Sequence, residues 1–436
     1  MLLESQVLKR ALFPFLLLLA ASVTLLSCGS TNTSQSVRRG PNNRAFFTEN
    51  VSAGGVSAGL YIVDAQTDTR PLVSSISAGN APGMMVVTPN RTQTLVFSPA
   101  ENQLTVISNA SESALGHLAL PGFTESVVVS PDSSTAYAAV PTATVVGQSP
   151  GAVKAISLSS GAFTAEVDIR SVRHLAIDHT GNRILAFSDN SDSVAVITPS
   201  NFGTNNAVTY IGGFDRPVAA FFSSDDSTAY VVNCGAECGG LQASVQTIDL
   251  TTNAAGAAVN IPAASVAMVD GSTMYLAGTP FVSVGGAPVP SLLCSTGTNT
   301  TLAQYCGQLS IFDLTSMSLV NPATTIVITD GYHDHIALGA NGRIFIGART
   351  CTEIVAVNAG DEVRGCLSIY NTQTGAVVIP PANGEVTGLQ PIPKRTVVYV
   401  VQDGSLGIYD TKTDKLQTLQ ITNLVGQFVD VKAVDF

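Results

Sequence analysis

The densest group of residues able to do chemistry lies in one short run: Asp330, Tyr332, His333, Asp334 and His335. On a β-strand, residues two apart share a side, so His333 and His335 are expected to point the same way. Two imidazoles beside a carboxylate can hold a divalent metal or work as an acid–base pair. They can equally line a wet channel mouth and do neither. No metal site or cofactor is assigned, and His333 and His335 stand as the candidates for one. Glu125, Arg173, His174, Asp215, Arg216 and Glu385 occupy comparable places and join the same candidate ligand site. The chain has no Gly-x-Ser-x-Gly elbow, phosphate loop, His-Glu-x-x-His helix or calcium-loop spacing. Asp189-Asn190-Ser191-Asp192-Ser193 lacks the glycine and distal glutamate of a calcium loop and reads as a solvated hairpin. Catalytic residues are therefore left unassigned.

Cysteine supplies the second chemistry. There are seven, dividing as one plus six. Cys234/Cys238, Cys294/Cys306 and Cys351/Cys366 each fall within one stretch, which favours three local bridges over the other pairings that six cysteines allow. The rival is a metal site, but no pair has the Cys-x-x-Cys form. An exported chain would meet the oxidising compartment that bridges need.

The elements that must position these residues come from a repeat. An apolar run, a polar turn, a second apolar run, a loop and a third strand recur eight times along the chain. Ile177-Asp178-His179-Thr180-Gly181-Asn182, then Ile184-Leu185-Ala186-Phe187, then Val194-Ala195-Val196-Ile197 is one copy. A period of roughly 40–50 residues with several short strands per unit marks a β-propeller. Second strands are expected to begin near Ala45, Leu95, Ala136, Ile184, Ala229, Met274, Ile344 and Val397. Third strands are expected at 59–63, 104–107, 153–156, 194–197, 245–248, 309–312, 367–370 and 406–409, each followed by Asp-, Asn-, Thr- or Gly-rich turns. The first copy lacks an innermost strand, and the chain closes on an unpaired one, residues 428–434. The expectation is an all-β propeller of eight four-stranded blades closed by that C-terminal strand. Seven blades is the alternative, because the copy around Ser265 to Tyr275 is the weakest.

Strands in such a blade alternate in direction, so the opening of each first strand shares a face with the loop between second and third strands. Long loops of that kind fall at 141–151, 233–242, 279–307 and 350–365, and the last three carry the cysteine pairs. One position before the first strands stand Gly83, Glu125, Arg173, Val218, Ala263, Asp334 and Glu385. One later stand Met84, Ser126, His174, Ala219, Ala264, His335 and Val386, which puts His174 and His335 in equivalent slots. Long loops on one face of a rigid repeat are usual carriers of binding. A protein or small-molecule ligand is therefore expected on the disulfide-bearing face. His179 falls in a turn of the opposite face, and His117 opens a fourth strand.

Three segments carry a likeness to a known family: Ser130-Pro131-Asp132-Ser133-Ser134-Thr135-Ala136-Tyr137-Ala138-Ala139, Ser223-Ser224-Asp225-Asp226-Ser227-Thr228-Ala229-Tyr230-Val231-Val232-Asn233, and Leu406-Gly407-Ile408-Tyr409-Asp410-Thr411. On these the chain resembles the YVTN-type propellers, a family that hosts many functions. The resemblance implies the ring fold. It also implies one enzymatic alternative, because such propellers resemble lactonases of the sugar-lactone hydrolase kind. Quinone-dependent propellers and WD repeats carry a tryptophan in each blade, and this chain has none. The lipid-anchored propeller of outer-membrane barrel assembly belongs to that tryptophan-bearing class and is similar only in layout.

The N-terminus reads as an export signal over residues 1–27, with Lys9-Arg10 ahead of an apolar stretch too short to span a membrane. Leu25-Leu26-Ser27-Cys28 resembles the bacterial lipobox, which implies lipidation at Cys28. Residues 28–43, rich in Ser, Thr and Asn, read as the lipidated cysteine and a flexible tether, and 44–436 as one propeller domain. The formal charge is −11 with 12% charged residues and no basic cluster, which argues against a nucleic-acid partner. The expectation is a monomeric, exported lipoprotein of the cell envelope, held to the membrane by its lipid. It would act as a binding or scaffolding module, with the lactonase-like hydrolase and a purely structural envelope protein as alternatives.

Overall fold

A computed structural model describes residues 43–50, 58–71, 75–285, 287–294, 305–354, 363–381, 384–418 and 427–435. Cys28, the expected signal and the expected tether up to residue 42 lie outside them, as do residues 295–304 and 355–362 of two cysteine loops. The described chain forms eight antiparallel blades arranged as a propeller ring.

The weakest copy is a true blade. It pairs Val266–Asp270 with Thr273–Gly278, and Thr273–Gly278 with Gly307–Asp313, which settles the count at eight. Its long loop carries a separate hairpin, Phe281–Val284 with Ala287–Pro290. Blade one closes as the unpaired strand requires: Phe428–Ala433 lies antiparallel to Arg44–Glu49, with Ala45 opposite Ala433 and Phe47 opposite Val431. Arg44–Glu49 then pairs with Gly59–Asp64. Among the described residues, the fourth position of blade one is reduced to two isolated bridges, Leu60 to Ile76 and Asp64 to Thr69.

The turns between first and second strands explain why this sequence bends where it does. Asp132 Oδ1 accepts from the Ser134 backbone N–H at 3.0 Å and from the Ser130 hydroxyl at 2.5 Å. Asp225 repeats the arrangement with Ser223 and Ser227. An aspartate closing on the backbone two residues on is a local substitute for a main-chain turn. The residue after each aspartate, Ser133 or Asp226, takes a left-handed φ of 60° or 55°.

The core lies between blades. Leu185, Phe187 and Val194 of blade four pack on Ala229, Val231 and Ile248 of blade five, all buried. With no tryptophan in the chain, Ala, Val and Ile alternate with single phenylalanines such as Phe97, Phe187, Phe312 and Phe345 to fill the wedges between sheets.

Candidate functional site

A register irregularity repeated around the ring aims the side chains at the channel mouth. First strands in blades four, five, seven and eight slip by one residue near their start: between Val172 and His174, Pro217 and Ala219, His333 and His335, and Val386 and Gly388. The extra residues are Arg173, Val218, Asp334 and Thr387. A bulge of this kind re-aims a side chain, and three of the four line one cavity of about 640 Å³. Glu125, His174, Tyr332 and Glu385 also line it, as the sequence suggested. His174 and His335 do occupy matching slots, one after each bulge, but only His174 is among the lining residues.

Arg173 organises one wall. It donates to Asp189 through Nε at 2.6 Å and Nη2 at 2.5 Å, and to Glu125 through Nη1 at 2.6 Å. The two carboxylates raise its pKa against the effect of burial. His174 beside it is pushed below its usual pKa, chiefly by burial, so its neutral form is favoured. Across the ring, Arg349 pairs with Asp334, which also holds His335 Nδ1 at 2.6 Å. Glu125 and His174 line the cavity together with Tyr332 and Arg349, so distant blades face each other here; burial raises the Tyr332 pKa, with nearby carboxylates adding to it. Val218, Ala219, Val266 and Ala267 of blades five and six make the apolar wall, and Ser265 adds a buried hydroxyl.

The expected His333–His335 pair is corrected. The bulge at Asp334 breaks the two-residue alternation. His333 is fully buried, with Nε2 bonded to the Thr329 carbonyl at 3.0 Å. Burial pushes its pKa down to about 4, and its ring packs beside Gly307, where a Cβ would come within 2.6 Å of it. It is a core residue, not one of a wet mouth. Among the described residues, no group of three or more His, Cys, Asp and Glu is placed to hold a metal.

Asp215, Arg216 and Asp330 also turn out to hold loops, not to line the cavity. Asp215 accepts the backbone N–H groups of Leu241 and Gln242 at 2.7–3.0 Å. Arg216 reaches Asp192 at 2.9 Å and the Gly239 carbonyl at 3.4 Å. Asp330 accepts the Thr352 N–H at 2.8 Å. These contacts fasten the first and third disulfide loops to the blade tops. Away from the site, His179 is exposed and bonded to Asp226 of the next blade, and His117 meets Thr105 within its own blade.

The bridges Cys234–Cys238, Cys294–Cys306 and Cys351–Cys366 are formed, with Cα separations of 5.6, 5.4 and 5.5 Å. The third of these loops reaches the cavity at Thr350. Thr350, next to Cys351, donates its N–H to Glu385 at 3.0 Å. Glu237, inside the Cys234–Cys238 ring, accepts the Thr279 N–H at 3.1 Å, and burial pushes its carboxyl up to about 8. Arg364 donates to the sulfurs of both Cys294 and Cys306 at 3.1–3.2 Å, joining the second loop to the third.

Asp189, Arg349, Ser265 and Glu237 were not anticipated. Asp189 and Arg349 stand where second strands end, at Ile184–Ser188 and Arg343–Arg349. Second strands finish on the face where first strands begin, so counting both would have found them. Ser265 was missed because the blade-six strand begins at Val266, later than the apolar run suggested.

Fold and site together define an eight-bladed β-propeller with a polar, loop-walled channel mouth. No known family's profile matches the chain, and no curated protein matches it in sequence. Solved structures do. The chain is similar to a dihydro-heme d1 dehydrogenase, NirN, in complex with DHE, at 13% identity and a TM-score of 0.61 over 91% of this chain and 76% of that one. It is also similar to the hydrazine synthase of Kuenenia stuttgartiensis (12% identity, TM-score 0.51, 78% and 96% covered). A functionally unknown protein from Desulfotomaculum acetoxidans gives 16% identity and a TM-score of 0.50, with 77% and 94% covered. At such identities the likeness is one of fold.

Proposed function

We propose that this protein is an exported, lipid-anchored binding module of the cell envelope whose small polar ligand enters the channel-mouth cavity. One observation carries the binding role: the cavity joins bulge-aimed side chains from several blades to the disulfide-braced loop that begins at Thr350. Bracing lowers the ordering cost of a loop-walled site. Anchoring rests on the lipobox-like Leu25-Leu26-Ser27-Cys28.

A ligand-observed NMR screen of small polar compounds tests the binding role, with Ala219→Phe filling the cavity wall. Compounds bound by the wild type and released by the variant support it; an empty screen rejects it. Mass analysis of the mature N-terminus tests the anchor, since an acylated Cys28 is expected and an unmodified one rejects it.

One observation favours the hydrolase as a second reading. His174 lines the cavity with its neutral form favoured, which suits a general base for water attacking a lactone carbonyl. Lactone hydrolysis followed by pH-stat, abolished in His174→Ala, would move the reading there.

A further inference from the structure

The charge of the cavity wall is unbalanced, and the imbalance names a ligand class. This inference rests on the cavity-binding reading above. The carboxylates of Glu125, Asp189, Asp334 and Glu385 line the cavity against the guanidiniums of Arg173 and Arg349; four less two leaves two negative charges. Both guanidiniums are already engaged, Arg173 by Glu125 and Asp189 and Arg349 by Asp334. The Glu385 carboxylate meets an amide, the Thr350 N–H at 3.0 Å. Among the described residues no cation stands within ion-pair distance of it. His174 does not restore the balance, because burial favours its neutral form.

A second, independent feature points the same way. Ser265 is 8% exposed, lines the cavity, and its Oγ makes no hydrogen bond of normal geometry, although it lies near enough to the Glu237 carboxyl to favour that group's charged form. A buried hydroxyl left this way is stabilised by a ligand that donates to it. Opposite the carboxylates, the aliphatic wall of Val218, Ala219, Val266 and Ala267 offers a dry surface to an apolar body.

We propose that the cavity takes a small organic cation: an ammonium or amidinium head on the carboxylate side, with an apolar body against blades five and six. An uncompensated negative charge in a concave, partly dehydrated site attracts a cation more strongly than open water would allow. Donation from the head or body satisfies Ser265.

The test uses three probes of one shape and different charge: benzylamine, benzyl alcohol and benzoate, measured by titration calorimetry at pH 7 and low salt. The proteins are the wild-type propeller, Glu385→Gln and Ala219→Phe. Glu385→Gln keeps an oxygen for the Thr350 N–H while removing the charge. Benzylamine is expected to bind the wild type at least about tenfold more tightly than the alcohol, with benzoate undetected, and to lose about tenfold in Glu385→Gln. Equal or tighter binding of the alcohol or benzoate, released by Ala219→Phe, would overturn the cation while leaving a binding cavity. An unchanged benzylamine affinity in Glu385→Gln would also overturn it. If no probe binds, or if binding survives Ala219→Phe, the cation and the cavity-binding reading fall together.

Discussion

Two groups that folding desolvates, one part-buried and one fully buried, tie this protein's stability to pH in opposite directions. The Glu237 carboxyl is pushed up to about 8 from an ordinary value of 4.5. Between those values the folded chain holds a proton that the unfolded chain has released, so stability falls as pH rises through that window. Glu237→Gln keeps an oxygen for the Thr279 N–H and removes the proton. Its unfolding midpoint should drop less than the wild type's between pH 6 and pH 9, a comparison that thermal denaturation at the two values makes directly. His333 acts in the other sense. Its pKa is pushed down to about 4 from 6.5, so the unfolded chain gains a proton first and stability falls as pH drops from 6.5 toward 4. His333→Ala should cost about 3 kcal/mol at pH 7, from a vacated core site and a lost bond to the Thr329 carbonyl. Urea unfolding measures it, and a cost near zero would return His333 to the channel mouth.

At the scale of strands and turns, the sequence was most legible where patterning decides structure. Alternating apolar residues placed the third strands to within a residue or two; the 194–197 segment is strand Ser193–Ile197. The cysteine spacing placed all three bridges. What stayed hidden was the bulge. Nothing in Val172-Arg173-His174 or His333-Asp334-His335 announces that one residue will leave the ladder, because the slip is set by how each first strand meets its partner. A strict two-residue alternation therefore put His333 beside His335, and one extra residue separated them. The acidic residues misled for a related reason. Asp215 and Asp330 look like ligands in sequence, and backbone amides of neighbouring loops use them up. The turns yield a prediction of their own. Lys394 takes a left-handed φ of 63° between the first and second strands of blade eight, where glycine fits without penalty. Lys394→Gly should stabilise the protein by about 0.5–1 kcal/mol in urea unfolding, and a loss would show that the lysine side chain matters more than its backbone.

For the whole molecule, stability rests on the ring being shut. Arg44 is the clasp: it donates to Asp435 at 2.5 and 2.7 Å, to Glu112 of blade two at 3.0 Å, and to the Asn109 carbonyl at 2.5 Å. One side chain thus ties the first described strand to the last residues and to the next blade. Arg44→Ala should cost about 2 kcal/mol and lower the thermal midpoint, while leaving ligand affinity at the distant mouth within twofold in calorimetry. Asp430 reinforces the seam by accepting the Met85 N–H at 2.8 Å. The arrangement also sets an order of events during synthesis. The strand at Arg44–Glu49 is among the earliest parts of the propeller to be made, yet its inner partner, Phe428–Ala433, is among the last. Until Phe428–Ala433 emerges, the growing propeller exposes an open sheet edge along Arg44–Glu49, so a polypeptide halted before that strand keeps this edge bare and remains available to chaperones and proteases.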